Sequence, residues 1–210
     1  MNEGLDYLLK QEPDPVSITL NDYVKAYYGK NILKFDPKYE ETITEISEKV
    51  VELNPRIPYD GRINEYGNHL ENTVVAAINE VCVDVKDLGA MTLGTGYPDI
   101  RFKYDNKWFY VEVKIGGPDL WVKPSSFRMF YTSTPKPKVK ERKGIEDGYH
   151  LLFHFEHYGP GKLTGRYRIT DLDGFKYHAH GRKQEGSSKD LYGNHNKFVT
   201  QKSSKRFATR

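Results

Sequence analysis

Residues 96–115 read GYPDIRFKYDNKWFYVEVKI. Apolar residues alternate with polar ones on both sides of Asp105-Asn106, which is the pattern of two strands joined by a tight turn. Asp and Asn tolerate the backbone of a tight turn, so we take these two as its central residues. Tyr104 then pairs with Lys107, and this pair sets the register of the whole hairpin.

The predicted register brings two carboxylates together. Counted back from the turn, Asp99 faces Glu112, and Lys114 lies on the same face as Glu112 because side chains change face at every residue of a strand. Directly opposed residues have Cβ atoms about 4.5–5.5 Å apart, where like charges are destabilising.

A cation is therefore expected between the two carboxylates. Mg²⁺ fits, since it binds through one or two carboxylates, waters and phosphate oxygens. Lys114 beside it suits metal-assisted hydrolysis of a phosphodiester.

The motif formed by Pro98-Asp99, a gap and Glu112-Val113-Lys114 resembles that of the PD-(D/E)xK nuclease superfamily, most of all type II restriction endonucleases. The resemblance implies metal ligation by Asp99 and Glu112, and water activation or charge stabilisation by Lys114. It also implies an α/β fold with a restriction-endonuclease-like core, in which helices flank a central mixed β-sheet.

The superfamily often takes a further acid from a helix that precedes the motif. Apolar periodicity predicts a helix from about residue 64 to 81, and Asn68 and Glu71, three residues apart, share one of its faces. Glu71 is the candidate for a catalytic acid and additional metal ligand. A solvent-facing Asn and Glu would be the simpler interpretation.

A rival match to the motif combines Pro118-Asp119 with Glu141 and Lys143. Residues 134–143 contain one aliphatic residue and no alternation, which indicates a solvated basic loop and not a strand. The first match is therefore favoured. A surface hairpin with incidental charges is the remaining alternative to a nuclease site.

Periodicity also predicts the remaining elements. Further helices are expected at 19–28 and 37–53, and further strands at 90–93, 149–156 and 163–171. Gly193-Asn194-His195-Asn196 resembles an HNH nuclease motif superficially, but its Gly- and Ser-rich surroundings lack the hairpin and helix that such a site needs. No strand or helix is predicted after Asp173.

Composition limits the class of protein. A chain of 210 residues is expected to form one domain, with or without an appendage. The single cysteine, Cys82, excludes an intrachain disulfide framework and a cysteine-rich zinc site. We see no signal peptide and no apolar stretch near 18 residues, and so expect a soluble cytoplasmic protein without membrane contact.

Charge is unevenly distributed along the chain. The net charge is +3, but glutamates concentrate in 37–53 and cations in 123–143 and beyond 176. This asymmetry suits a polyanionic partner such as double-stranded DNA. We expect a nuclease core over 1–175, including the N-terminal helices, and a basic, Gly/Ser/His-rich extension over 176–210 that contacts DNA.

The segment just after the hairpin interleaves cations, hydroxyls and aromatics. These groups bind phosphate oxygens and base edges, and an Arg can contact guanine through two hydrogen bonds. Arg128 is the candidate base reader. The predicted DNA contacts are Lys123, Ser125, Ser126, Arg128, Lys136, Lys138, Lys140, Arg182 and Lys183.

These patterns predict a sequence-specific endonuclease that uses Mg²⁺, with Mn²⁺ as a substitute. Two copies in a homodimer would each cut one strand. Two alternatives stay open: a structure-specific nuclease such as a Holliday-junction resolvase or repair nuclease, and a DNA-binding module without activity.

Overall fold

Helices and strands occupy most of the residues that the structure, a computed structural model, describes: 16–57, 59–62, 65–82, 90–93, 97–116, 126–131, 144–180, 183–187 and 198–202. The helices are α1 (Leu20–Tyr28), α2 (Glu40–Leu53) and α3 (Tyr66–Val81), with short 3-10 turns at Pro37–Tyr39 and Asn54–Arg56. The strands are β1 (Val16–Thr19), β2 (Ile32–Leu33), β3 (Met91–Thr92), β4 (Ile100–Tyr104), β5 (Lys107–Gly116), β6 (Ser126–Tyr131), β7 (Gly148–Gly159), β8 (Lys162–Asp171), β9 (Lys176–His180), β10 (Lys183–Ser187) and β11 (Phe198–Lys202).

A mixed sheet forms the centre of the fold. Its strand order is β11-β8-β7-β5-β4-β3, and β2 pairs with β7 off this path. The β5–β7 and β2–β7 pairs are parallel, whereas the β3–β4, β4–β5, β7–β8 and β8–β11 pairs are antiparallel. Helices lie on both faces of the sheet. The predicted α/β class, with a mixed central sheet flanked by helices, is therefore confirmed.

The hairpin forms in the predicted register. Tyr104 pairs with Lys107, and both turn residues have positive φ, 48° for Asp105 and 57° for Asn106. This backbone matches the twist of the flanking strands. Asp105 also accepts hydrogen bonds from the Tyr39 hydroxyl at 2.9 Å and the Lys38 ammonium at 3.0 Å, which tie the turn to the residues before α2.

The helices begin and end near the predicted residues for local reasons. Thr19 and Asp22 form a capping box at the start of α1, and Gly29 ends it with φ of 67°. Residues 37–39 of the second predicted helix form a 3-10 turn, capped by Asp36, before α2 begins at Glu40. None of the described helices combines the length and the apolar character needed to cross a membrane.

Both faces of β5 are buried. Phe109, Val111 and Val113 pack with α2 and α3 in one core cluster. Tyr110 belongs to a second cluster with Leu20 and other residues of α1, on the opposite face. The face that carries Glu112 is therefore covered near Tyr110, which is typical of a strand with a parallel neighbour.

Strands also form where the sequence predicted none. β1, β9, β10 and β6 make a separate four-stranded antiparallel sheet, and β11 pairs with β8 at an edge of the main sheet. Residues beyond 175 thus contribute strands to both sheets. The division of the chain into a core and an extension stays a prediction.

Candidate active site

The site begins where β5 extends beyond its antiparallel neighbour. β4 pairs with β5 as far as Ile100 and Val111, and Asp99 directly precedes β4. The backbone N–H of Asp99 donates to the carbonyl of Val111 at 3.0 Å, and its Oδ2 accepts the N–H of Val113 at 2.8 Å. A carboxylate thus accepts a backbone donor at the strand edge, and the register holds Asp99 across from Glu112 as predicted.

Lys114 supplies a cation to the two facing carboxylates. Its Nζ donates to Glu112 Oε1 at 2.5 Å and lies 3.8 Å from Asp99 Oδ2. Glu112 is almost fully buried, so its charge needs such a partner. Burial alone lowers the pKa of Lys114, but the nearby carboxylates, Glu112 first, raise that pKa by more. The group therefore stays an ammonium.

A cleft of about 410 Å³ opens over this cluster. Glu71 reaches it from α3, and the negative charge of Glu71 contributes to the raised pKa of Lys114. The cleft is lined by Gly67, Asn68, Glu71, Asp99, Val113, Lys114, Ile115 and His157. The structure thus brings together the four residues that sequence reasoning proposed as catalytic: Asp99, Glu112, Lys114 and Glu71.

A buried Tyr–His pair lies close to the cluster. The hydroxyl of Tyr97 hydrogen-bonds to Nδ1 of His150, and Tyr110 packs on the same imidazole with ring centroids 4.6 Å apart. Burial, followed by the charge of Glu112, raises the pKa of Tyr97 well above its usual value. Burial lowers the pKa of His150 to about 3. Both groups are therefore neutral at pH 7, and the hydrogen bond joins a phenol to an uncharged imidazole.

Basic side chains continue from Lys114 across the sheet. Strand pairing places His154 beside Lys114 and Arg168 beside His154, all on one face, and we call these three the basic row. Burial, with help from Arg168 and Lys114, lowers the pKa of His154 to about 3. Burial and the neighbouring Arg166 lower the pKa of Arg168 to about 10, so Arg168 remains charged at neutral pH.

The predicted DNA contacts are placed only in part. Ser126 and Arg128 fall on β6 and Lys183 on β10, two strands that pair with each other. The second sheet therefore joins two predicted DNA-contact segments that are distant in sequence. The other six residues, namely Lys123, Ser125, Lys136, Lys138, Lys140 and Arg182, lie outside the described residues, as do the rival motif and the HNH-like run.

A family model places the chain among known proteins. The model of the type II restriction enzyme MjaV family matches residues 14–195. The chain belongs to this family. It is 27% identical over 220 residues to the type II restriction enzyme MjaV of Methanocaldococcus jannaschii, covering 90% of this chain and 92% of that enzyme. No solved structure matches it.

Membership of the MjaV family makes this chain a restriction-type DNA endonuclease by class, with DNA as its substrate. The matched residues, 14–195, include every residue that lines the cleft.

Two features of this MjaV-family site escaped sequence reasoning. The polar residues Arg166, Arg168 and Thr170 alternate along β8, but their position beside His154 depends on the β7–β8 pairing. His157 directly follows the predicted strand 149–156, and sequence reasoning gave it no role. It continues the face of Phe153 and Phe155, but its place at the cleft depends on the packing of α3 against that face.

Acid should destabilise the folded chain through His150. Its pKa of about 3 compares with about 6.5 in an unfolded chain. Between these values the unfolded state binds a proton that the folded state does not, so stability falls as the pH drops below 6.5. His150 contributes up to about 1.4 kcal/mol per pH unit to this fall, and His154, whose pKa is also about 3, contributes a similar amount. Urea unfolding at about pH 7, 6 and 5 measures this slope. His150→Gln should lose less stability over the same interval, and an equal loss in both proteins would assign the effect to other groups.

Proposed function

We propose that this chain is a Mg²⁺-dependent, sequence-specific double-stranded DNA endonuclease of the PD-(D/E)xK type, which hydrolyses phosphodiester bonds. One observation carries the proposal. The ammonium of Lys114 lies within 4 Å of two carboxylates where β5 continues past its pairing with β4, and Glu71 reaches the same cleft from α3. The assigned catalytic residues are Asp99, Glu112, Lys114 and Glu71.

The donor set suits a hard divalent cation. Asp99 and Glu112 offer carboxylate oxygens, the ligands that Mg²⁺ prefers, and Glu71 could help to hold a second ion. The position of the Lys114 ammonium 2.5 Å from Glu112 and 3.8 Å from Asp99 supports the fit, because it shows that the local field favours positive charge. A bound divalent ion supplies a Lewis acid that neutralises phosphate charge and promotes ionisation of the attacking water.

The residues of the chain then have separate tasks. Asp99 is immobilised through the N–H of Val113 and so presents its carboxylate in a fixed direction. Lys114 can donate hydrogen bonds to a phosphate oxygen or to the attacking water, which stabilises the charge that develops in the transition state. Fixed groups of this kind avoid reorganisation during the reaction, which is why they accelerate it.

Family membership favours restriction over the alternative nuclease functions. A Holliday-junction resolvase or repair nuclease could use the same cluster, but the matched family is one of type II restriction enzymes. A DNA-binding module without activity would have no need for three carboxylates and a lysine at one cleft. Incubating the protein with plasmid and Mg²⁺ separates these functions: discrete bands support restriction, cutting of junctions alone supports a resolvase, and no cutting supports the binding module.

We further propose a homodimer. Cutting a duplex requires two reactions, one on each strand, and the described residues form one such cluster per chain. A two-fold symmetric dimer presents the same residues to both antiparallel strands and matches palindromic sites.

Replacing Lys114 or Glu112 with Ala should abolish cleavage and leave DNA binding largely intact. Interactions made in the transition state affect the rate and not ground-state affinity, and losing one such donor costs about 100- to 1,000-fold. Single-turnover cleavage and binding in Ca²⁺ measure the two effects. Lys49→Ala is the control, since Lys49 pairs with Glu52 and Glu80 on the helical surface. Cleavage by Lys114→Ala at the wild-type rate would contradict the assignment.

Divalent ions should determine activity. We expect cleavage with Mg²⁺ or Mn²⁺, and binding without cleavage in Ca²⁺, which is larger and takes more ligands. Mg²⁺ should also raise the melting temperature of the wild type, since a ligand that binds only the folded state stabilises it. Asp99→Asn keeps the shape but removes a charge, and should lose most of that rise. Full cleavage in excess EDTA would exclude a metal-dependent site.

The basic segments should contribute to DNA binding in two different ways. Replacing Lys136, Lys138 and Lys140 together should reduce the slope of log affinity against log salt by up to about three, because fewer counterions are released. Arg128→Ala should instead cost about 1–3 kcal/mol at the cognate site alone. Titrations of cognate and random duplexes across a salt series distinguish the two. If Arg128→Ala weakens both duplexes equally, Arg128 is not a base reader.

A further inference from the structure

His157 lies in the candidate cleft but outside the catalytic cluster. β7 follows β5 in parallel up to the pair of Gly116 with Glu156. The β7–β8 register then shifts on both sides of His157. His157 nevertheless keeps the alternation of Phe153 and Phe155, and so lies on the face that packs against α3. Here the imidazole joins Asn68 and Glu71 in lining the cleft.

The imidazole of His157 is held by packing, and its Nδ1 makes no hydrogen bond within the described residues. The ring of Tyr66 meets it edge-on, with centroids 6.3 Å apart and planes at 88°. Its Nδ1 is buried and has no hydrogen-bond partner among the described residues. Because Nδ1 is buried, a ligand in the cleft would meet the imidazole through Nε2.

The position of His157 along the cleft separates it from the reacting phosphate. His154, three residues earlier, is the strand partner of Lys114. At about 3.3 Å per residue, His157 is displaced from Lys114 by about 10 Å along the strand direction. A DNA strand whose scissile phosphate lies at Asp99 and Lys114 would present another part of its backbone to His157.

We propose that His157 binds a phosphate of the cleaved DNA strand beside the scissile one, through a hydrogen bond from its imidazole to a phosphate oxygen. This inference rests on the proposed endonuclease function and adds a backbone contact to it. The contact positions the strand and carries no base information.

The charge state of the imidazole gives this contact a distinctive signature. Burial lowers the pKa of His157 below its usual value, although the neighbouring Glu156 opposes the shift. At neutral pH the ring is therefore uncharged and donates a single N–H. An uncharged donor neutralises no phosphate, so its removal weakens binding without changing the salt dependence, unlike the loss of a Lys or Arg contact.

Two substitutions separate hydrogen bonding from packing. His157→Phe keeps an aromatic ring against Tyr66 but has no donor, whereas His157→Asn keeps a donor in a smaller side chain. Tyr158→Phe is the matched control, because Tyr158 is the next residue and its side chain is 64% exposed. Thermal unfolding checks that each variant folds, and His157→Ala replaces His157→Phe if the latter does not.

Binding in Ca²⁺ to two duplexes tests the proposal. One duplex carries a site recovered by sequencing the ends of wild-type digests, and the other is random. We expect His157→Phe to raise Kd about tenfold on both, as for loss of one hydrogen bond to a charged group, with an unchanged salt slope. The single-turnover rate at saturating DNA in Mg²⁺ should stay within about twofold of wild type, because the contact is equal in ground and transition states. His157→Asn should bind more tightly than His157→Phe.

The outcomes distinguish this inference from the proposed function. Three results for His157→Phe would overturn the phosphate contact: a Kd equal to that of the wild type, a lower salt slope of binding, or a large fall in the saturating cleavage rate at unchanged Kd. In each case cleavage by the wild type would still support the endonuclease function. A wild-type chain that neither binds nor cuts DNA with divalent ions overturns both.

Discussion

Like charges that face each other across neighbouring strands repel, and the candidate site depends on how this repulsion is relieved. Asp99 and Glu112 meet where β4 begins, and Glu112 is almost fully buried. The ammonium of Lys114 lies within 4 Å of both carboxylates and provides the compensating charge. Such a position favours any cation. The same field would favour the divalent ion of the proposed function.

Both faces of the sheet contribute to one cleft where the pairing of β4 with β5 ends. In the middle of β5, Phe109 and Tyr110 are buried under different helices and cannot meet. Past the end of the β4 pairing, groups from either side can reach the same space. Glu71 comes from α3, on the side of Val113, and still acts on the charge of Lys114 from the other side. Because β5 extends beyond β4, several charged groups can lie close together at the end of an otherwise buried sheet.

The basic row shows how burial tunes neighbouring groups to different charge states. His154 lies between Lys114 and Arg168, and loses its proton because burial and both cations disfavour imidazolium. Arg166 is neutralised by the buried Glu156, with which it forms an ion pair at 2.8 Å. On the face that carries the cluster, Arg168 therefore stays charged, whereas the charge of Arg166 is balanced by Glu156. Such a surface suits DNA, the polyanionic substrate of a restriction enzyme family.

The sequence by itself determined the features that depend on neighbours along the chain. Asp105-Asn106 specified the turn, the turn specified the register, and the register placed Asp99 opposite Glu112 and beside Lys114. Periodicity likewise predicted α1 to α3, to within a few residues at each end. The chemical roles of the site residues follow from residue type and remain predictions.

Only the tertiary structure decided which distant segments meet. The parallel pairing of β5 with β7 brought His154 beside Lys114, the antiparallel β8 added Arg168, and the packing of α3 delivered Glu71. β6, β9, β10 and β11 form in segments whose composition predicted no strand, because backbone hydrogen bonds to strands distant in sequence outweigh weak local preferences. Local sequence patterns do not identify these pairing partners, because the free energy that favours the pairing is gained only when the chain has folded.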